Sequence, residues 1–116
     1  MASRRSLEYL VEHQILTYLS KTGIGYFWKN TSAGFHDGVK WRKHASPFAI
    51  NGTSDILGLT KTGRMIALEV KDLAAPTPEQ LAFIKKVQAN GGLGAVVRSV
   101  DQTKEFLVEW GLISPE

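Results

Sequence analysis

The sequence contains no cysteine, so disulfide bonds and thiolate metal sites are excluded, and a metal ion could be held only by oxygen or imidazole ligands. It also lacks an apolar run of about 18 residues and a charged-then-apolar leader, which argues against a membrane span and a signal peptide. We therefore expect an intracellular protein that does not contact a membrane. The 116 residues, 43% of them hydrophobic and 22% charged, predict one compact domain over residues 1–116.

The formal net charge of +3 is compatible with a polyanionic partner. Basic residues gather around an aromatic residue in one short segment, which consists of Lys40, Trp41, Arg42, Lys43 and His44. A basic cluster that contains an aromatic ring suits contact with phosphates together with stacking on bases. Considered alone, this cluster is equally well interpreted as a solvated loop.

Hydrophobic periodicity and turn residues predict three helices and four strands. The predicted helices are Ser6 to Ser20, ended by Gly23; Pro78 to Asn90, capped by Thr77 and ended by Gly91 and Gly92; and Asp101 to Trp110, ended by Gly111. The predicted strands are residues 24–30, 54–60, 65–71 and 93–100. Residues 31–50 show no sustained period, which predicts a long irregular loop, and such loops are often functional in small domains.

These elements give the order αβββαβα. The strands at residues 54–60 and 65–71 flank a glycine-containing connection of hairpin length, so we expect them to pair antiparallel. The last strand follows through a helix, which predicts a parallel pair within a mixed sheet. The expected fold class is therefore α/β, with helices packed on the faces of the sheet.

The strand "MIALEVK" carries two charges in an otherwise apolar pattern. Glu69 and Lys71 are two residues apart, so they project from one side of the strand at a spacing of about 7 Å. Ile66, Leu68 and Val70 project from the other side, toward a core. An acid and a lysine on an exposed sheet face are most often solvated surface residues. A further functional group nearby is therefore needed before they can be interpreted as an active site.

Asp55 provides that partner if the hairpin loop has an odd number of residues. The numbers of paired residues then sum to 124, which places Asp55 opposite Glu69 with Cβ atoms about 5 Å apart. Two carboxylates this close repel each other unless a cation lies between them, and a hard ion such as Mg²⁺ or Mn²⁺ suits them. Lys71 could orient a water or stabilise negative charge on a phosphate, an arrangement typical of metal-assisted phosphodiester hydrolysis.

Several blocks of the sequence resemble a known nuclease family: "LEYLVEHQILTYL", "GTSDILGL", "GRMIALEVK", "TPEQLAFIKKVQANGG" and "AVVRSV". Over most of the chain they resemble the small stand-alone, phage-type VRR-NUC proteins, virus-type replication and repair nucleases of the PD-(D/E)XK superfamily. Ser54 stands where the superfamily has a proline, which should affect turn geometry more than metal ligation because Asp55 is present. The resemblance implies a restriction-endonuclease-like mixed β-sheet with flanking helices.

The resemblance also implies roles for the residues at the hairpin. Asp55 and Glu69 would bind the metal through their carboxylates, with the backbone carbonyl of Val70 as an additional ligand. Lys71 would take the role of the catalytic lysine.

Two further positions follow from the same resemblance. The superfamily uses a glutamate on the first helix, and Glu12 is slightly favoured over Glu8 because of its distance to Gly23. Gln80 matches a glutamine that the family places near the active site. However, Gln80 also lies at the third helical position after Thr77, where it satisfies a capping box, and both roles are compatible.

The implied function is a metal-dependent DNA endonuclease that acts as a homodimer on branched DNA such as a four-way junction. Its cofactor would be Mg²⁺ or Mn²⁺, and the basic cluster at residues 40–44 would follow the DNA backbone. A phage-encoded protein of this kind would act in the cytoplasm of a bacterial host. The alternatives are a non-catalytic DNA-binding module that retains the nuclease fold and a protein-interaction domain whose acidic face is structural.

Overall fold

The computed structural model of the chain describes residues 4–31, 35–36, 38–39, 41–42 and 47–115. These residues form, in chain order, α1 (Arg4–Thr22), β1 (Gly25–Lys29), β2 (Phe35–His36), β3 (Trp41–Arg42), β4 (Ile56–Thr60), β5 (Met65–Val70), α2 (Pro78–Ala89), β6 (Leu93–Val97) and α3 (Val100–Glu109). None of the helices in these ranges has both the length and the apolar character that crossing a membrane requires.

Four of the strands form one mixed sheet in the order β1-β4-β5-β6. β4 pairs antiparallel with both β1 and β5, whereas β5 pairs parallel with β6 through the crossover helix α2. This arrangement confirms the predicted α/β class and the predicted parallel pair inside a mixed sheet.

The element order differs from αβββαβα by the two short strands β2 and β3. They pair with each other in a separate two-stranded sheet, within the stretch predicted to be an irregular loop. Each is two residues long, which is too short to produce a recognisable alternation in the sequence.

The main core lies on one face of the sheet, where α1 and α3 pack. Ile66, Leu68 and Val70 of β5 point into this core, as predicted from the alternation. They contact a cluster completed by Ile15, Leu19, Ile56, Leu93, Ala95, Val97 and Leu107. The alternate residues of β5 therefore form one fully buried face of the strand.

The opposite face of β5 is also covered, because α2 packs on it. Ala67 forms a second apolar cluster there with Phe83 and Val87 of α2. Glu69 follows Ala67 on this face and is only 1% exposed. A solvated charge on an open sheet face is therefore excluded for Glu69, and its burial needs a different explanation.

The helix ends follow the predicted stop and cap residues with one correction. Gly23 and Gly91 have φ values of +71° and +89°, which lie in the left-handed region that favours glycine after a helix. However, α3 begins at Val100, one residue before the predicted start at Asp101, and it is capped by Ser99, whose hydroxyl accepts a 3.0 Å hydrogen bond from the N–H of Gln102. Asp101 lies in the first turn, where a negative charge suits the helix dipole.

Candidate active site

The hairpin between β4 and β5 has the parity that the sequence predicts. Its paired residues, from Ile56 with Leu68 to Leu59 with Met65, have numbers that sum to 124. Asp55, one residue before β4, therefore occupies the position opposite Glu69 at the end of the hairpin. The side chains of both residues project to the face that α2 covers.

The Asp55 carboxylate is held in place by the backbone of β5. The N–H of Val70 donates a 2.8 Å hydrogen bond to Oδ2 of Asp55. The carboxyl group of Asp55 also acts on that of Glu69, because their side-chain interaction raises the pKa of Glu69. The two acids are therefore neighbours across the hairpin, as the register predicts.

The pKa of Glu69 is raised from its ordinary value of 4.5 to about 9. The largest cause is burial, which disfavours the charged form, and the side-chain interaction and negative charge of Asp55 add to it. The positive charge of Lys71 acts in the opposite direction. Without a cation, the acid pair therefore keeps a proton at neutral pH.

One oxygen of this pair lacks a hydrogen-bond partner in the part of the chain that the structure describes. Among the described residues, the buried side-chain oxygens without a hydrogen-bond partner are Oε1 of Glu69 and the hydroxyl of Ser54. A buried carboxylate oxygen without a donor is costly, and a bound cation would satisfy it. The pair thus fits a hard divalent ion, which could approach through the half-buried Asp55.

The glutamates of α1 lie near the pair but are engaged elsewhere. Glu12 Oε1 is 3.2 Å from the Lys29 ammonium nitrogen, and Glu8 Oε1 accepts a 3.4 Å hydrogen bond from the N–H of Asp72. In the described ranges, no three acidic or histidine side chains are grouped closely enough to hold a metal ion. Each glutamate would therefore have to leave its present partner to join the acid pair around a cation.

Each glutamate interacts electrostatically with one acid of the pair. Burial raises the pKa of Glu12, the contact with Lys29 opposes this effect, and the negative charge of Asp55 adds to it. Glu8 contributes to the raised pKa of Glu69. Both glutamates consequently stay candidates for the first-helix ligand.

Lys29 is a site residue that the sequence did not single out. Its ammonium nitrogen lies between Glu12 and the ring of Tyr9, 4.8 Å from the ring centroid. In β1 it shares a side with Phe27, and that side faces α1. The alternation of β1 could have indicated this direction, but the contact with Glu12 depends on how α1 crosses the sheet.

The pairing of β5 with β6 continues for one residue beyond Val70, to Lys71. Its N–H donates a 3.0 Å hydrogen bond to the carbonyl of Val97 in β6. Its positive charge opposes the rise in the pKa of Glu69. Val70 lies between them, with its side chain in the core and its N–H on Asp55.

Gln80 forms the capping box that its sequence position predicts. Its N–H donates to the Thr77 hydroxyl at 3.2 Å, and its side-chain oxygen accepts from the Thr77 N–H at 2.8 Å. The segment before Asp55 also reaches this helix end, because a Cβ on Gly52 would lie 2.5 Å from the carbonyl carbon of Glu79. Gly52, with a φ of +81°, is thus a second residue that the sequence did not single out.

The predicted DNA-binding cluster falls largely outside the described residues. Lys40, Lys43 and His44 are not among them, and Trp41 and Arg42 are described only as the backbone of β3. The role of this cluster stays a prediction.

Comparison with known proteins does not assign the chain to a family. No protein-family model matches it, and no curated protein matches it at a significant level.

Proposed function

We propose that this protein is a divalent-metal-dependent DNA endonuclease with a restriction-endonuclease-like fold. The observation that carries the proposal is the position of Asp55 opposite Glu69, whose fully buried carboxyl has an oxygen without a hydrogen-bond partner among the described residues. Burial of an acid in this state is costly for a structural residue, and perturbed carboxyls beside a lysine are characteristic of active sites. The mixed sheet with helices on both faces is compatible with the proposed fold.

Mg²⁺ or Mn²⁺ would be held by Asp55, Glu69 and the carbonyl of Val70, together with Glu12 or Glu8. When bound, such an ion polarises a phosphate and lowers the pKa of a water molecule. The Val70 N–H keeps the Asp55 carboxylate oriented toward Glu69. Burial around Glu69 excludes bulk water, which strengthens each electrostatic interaction at the site.

Lys71 is the residue that acts on the reacting groups. Its ammonium group orients the attacking water and stabilises the negative charge that develops on the phosphate in the transition state. The extended backbone at Lys71, fixed by the hydrogen bond to Val97, directs the side chain to the same side as Glu69.

Branched DNA, such as a four-way junction, is the proposed substrate, and a homodimer is the proposed active form. Both statements rest on the resemblance to the VRR-NUC proteins. The net charge of +3 is favourable for DNA binding, and the basic cluster at residues 40–44 would contact the DNA backbone.

Cleavage of junction, flap and linear duplex DNA in Mg²⁺ or Mn²⁺ tests the proposal, with the mass of the protein measured in parallel. Lys71→Ala should abolish cleavage and leave the thermal unfolding transition unchanged. Lys86→Ala is the matched control, because Lys86 is an exposed lysine on α2. This variant should cleave DNA like the wild type. Tight DNA binding without cleavage of any substrate would instead identify a non-catalytic DNA-binding module.

A further inference from the structure

One half of the sheet face that carries the acid pair is open to solvent. In the register of the sheet, Tyr26 pairs with Leu59 and Trp28 pairs with Leu57. These side chains share the face of Ala67, but α2 packs mainly on β5 and β6, and of the four only Leu57 is packed against the cluster of Ala67, Phe83 and Val87. Tyr26 is 70% exposed, Trp28 36% and Leu59 42%. The result is an apolar surface with two aromatic rings, which we call the Tyr26–Trp28 surface.

The two rings contact each other. Their centroids are 5.5 Å apart, with an angle of 35° between the planes. Phe106 and Trp110 of the α3 region have nearly the same geometry, 5.5 Å and 33°, yet they pack against the main core. In the described part of the chain, Tyr26 and Trp28 belong to neither core cluster. Core packing therefore does not account for this second aromatic pair.

The Tyr26–Trp28 surface is continuous with the candidate active site. The N–H of Asn30 donates a 2.8 Å hydrogen bond to the carbonyl of Asp55, so β1 continues alongside the acid. Trp28 lies opposite Leu57, which is two residues, or about 7 Å, along β4 from Asp55. Tyr26 lies about 7 Å farther along the same face. A ligand on the rings would thus extend to the carboxylates.

The size of the surface decides between two occupants. The exposed parts of Tyr26, Trp28 and Leu59 together provide on the order of 300 Å², whereas a stable dimer needs about 800 Å² from each partner. The same area suits a few flat rings, and aromatic side chains on a four-stranded sheet are an established support for stacked bases. A net positive charge favours a polyanionic strand over a second copy of the same cation.

We propose that Tyr26 and Trp28 stack on unpaired bases of single-stranded DNA and lead the adjoining phosphodiester to Asp55 and Glu69. This inference rests on the proposed nuclease function and makes its substrate class more specific. Among branched DNAs, the preferred substrate therefore carries unpaired nucleotides next to the bond that is cleaved, as a flap does and a fully paired four-way junction does not. Continuous duplex DNA cannot place its bases on the rings without unstacking them, which is unfavourable.

Binding and cleavage are measured separately to test the inference. Binding of a fluorescently labelled oligothymidylate strand to the full chain is titrated in EDTA, where cleavage cannot occur. Tyr26→Leu and Trp28→Leu keep an apolar side chain but remove the ring, and each should weaken binding by about 5-fold to 100-fold. Tyr26→Phe and Trp28→Phe keep a ring and should bind within about two-fold of the wild type.

Tyr9→Leu is the matched control, because Tyr9 is a 56% exposed aromatic residue that contacts Lys29 on the opposite side of β1. It should leave binding unchanged. Wild-type affinity in both leucine variants, or no binding by the wild type, would overturn the inference. A change of mass in the leucine variants with unchanged binding would also overturn it, since the surface would then join two copies.

The outcome for the nuclease function is read from a different experiment. A wild type that binds the oligothymidylate through both rings but cleaves no DNA in Mg²⁺ or Mn²⁺ would support the stacking surface and refute the nuclease. Cleavage of flap and duplex DNA at rates that the leucine variants leave unchanged would support the nuclease and refute the stacking surface. Slower flap cleavage with unchanged duplex cleavage in these variants would support both.

Discussion

The backbone N–H of Val70 is hydrogen-bonded to Oδ2 of Asp55 at 2.8 Å, so the strand that carries Glu69 also orients the carboxylate opposite it. This bond leaves the second oxygen of Asp55 available to face Glu69. The same short segment therefore supplies one acid and fixes the direction of the other. A site built on paired strands is held more rigidly than one built on loops.

Replacing Glu69 should change how the stability of the metal-free protein depends on pH. The pKa of Glu69 is about 9 in the folded protein and 4.5 ordinarily, so between these values the unfolded chain has released a proton that the folded chain keeps. The contribution of Glu69 to stability is complete below pH 4.5 and is lost as the pH rises toward 9, by at most about 1.4 kcal/mol per pH unit. Glu69→Gln, which cannot ionise, should flatten this slope and stabilise the protein at pH 8.

Denaturant unfolding in EDTA across this pH range measures the effect. Glu105→Gln is the control, because Glu105 is an exposed acid on α3 and its loss should preserve the wild-type slope. An unchanged slope in Glu69→Gln would mean that the proton is held elsewhere.

Divalent cations should bind to the acid pair and raise the stability of the folded protein. A cation at about one hundred times its dissociation constant stabilises a one-site protein by about 3 kcal/mol. Asp55→Asn removes one ligand charge and should weaken binding by about ten-fold or more. Calorimetric titration with Ca²⁺ and with Mn²⁺ measures this affinity, and equal affinities in wild type and Asp55→Asn would exclude the pair as the metal site.

The ion pair between Lys29 and Glu12 allows the first-helix ligand to be identified. Glu12→Gln should reduce cation affinity more than Glu8→Gln if Glu12 is the ligand. Lys29→Met removes the cation that occupies Glu12 and should then increase affinity for Mn²⁺, because the carboxylate no longer has to leave its partner. In the Glu12→Gln background, Lys29→Met should have little effect. A greater loss in Glu8→Gln would assign the role to Glu8.

Gln80 has a structural role in the helix cap, and the role proposed for it at the active site can be tested separately. A capping box accepts either Glu or Gln at the third helical position, so Gln80→Glu should keep the stability within about 0.5 kcal/mol. If the amide acts at the active site, the same variant should cleave DNA more slowly. Thr77→Ala should lose about 1 kcal/mol of stability and cleave like the wild type. If Gln80→Glu and the wild type cleave DNA at equal rates, the role of Gln80 is limited to the helix cap.

Gly52 should be more sensitive to substitution than another glycine with similar backbone geometry. Its φ is +81°, and a Cβ would lie 2.5 Å from the carbonyl carbon of Glu79. Gly63 has a φ of +85°, but a Cβ there would meet nothing within 4 Å. Gly63→Ala should therefore cost about 1 kcal/mol, and Gly52→Ala clearly more, together with weaker cation binding. Thermal unfolding of both variants makes the comparison, and equal losses would mean that the contact with α2 yields easily.

The features of this fold that depend on local backbone periods can be predicted from the sequence. The two-residue period of β5 assigns Leu68 to the core, and the odd number of residues in the hairpin loop places Asp55 opposite Glu69. Thr77 and Gln80 define a helix start because both residues act within one turn. In each case the interacting groups are close along the chain or related by a single turn.

Features that depend on packing between distant segments are different. Nothing in the local pattern around Glu69 shows that α2 covers it, so a buried acid looks like a surface charge. The contact between Lys29 and Glu12 likewise depends on the path of α1. The cap of α3 does not belong to this group, because it depends on residues that are close along the chain. Ser99 stands three residues before Gln102, a spacing that is typical of a capping box.

The pairing register that places Asp55 opposite Glu69 limits how the lengths of β4 and β5 can vary in evolution. Inserting one residue within β4 or β5 would turn Asp55 or Glu69 to the other face of the sheet, unless a bulge absorbed the extra residue. The stretches 55–60 and 65–70 should therefore keep a constant length in homologous proteins. Insertions and deletions should collect instead in the turn at residues 61–63, between Thr60 and Arg64, and in the long connection between β1 and β4.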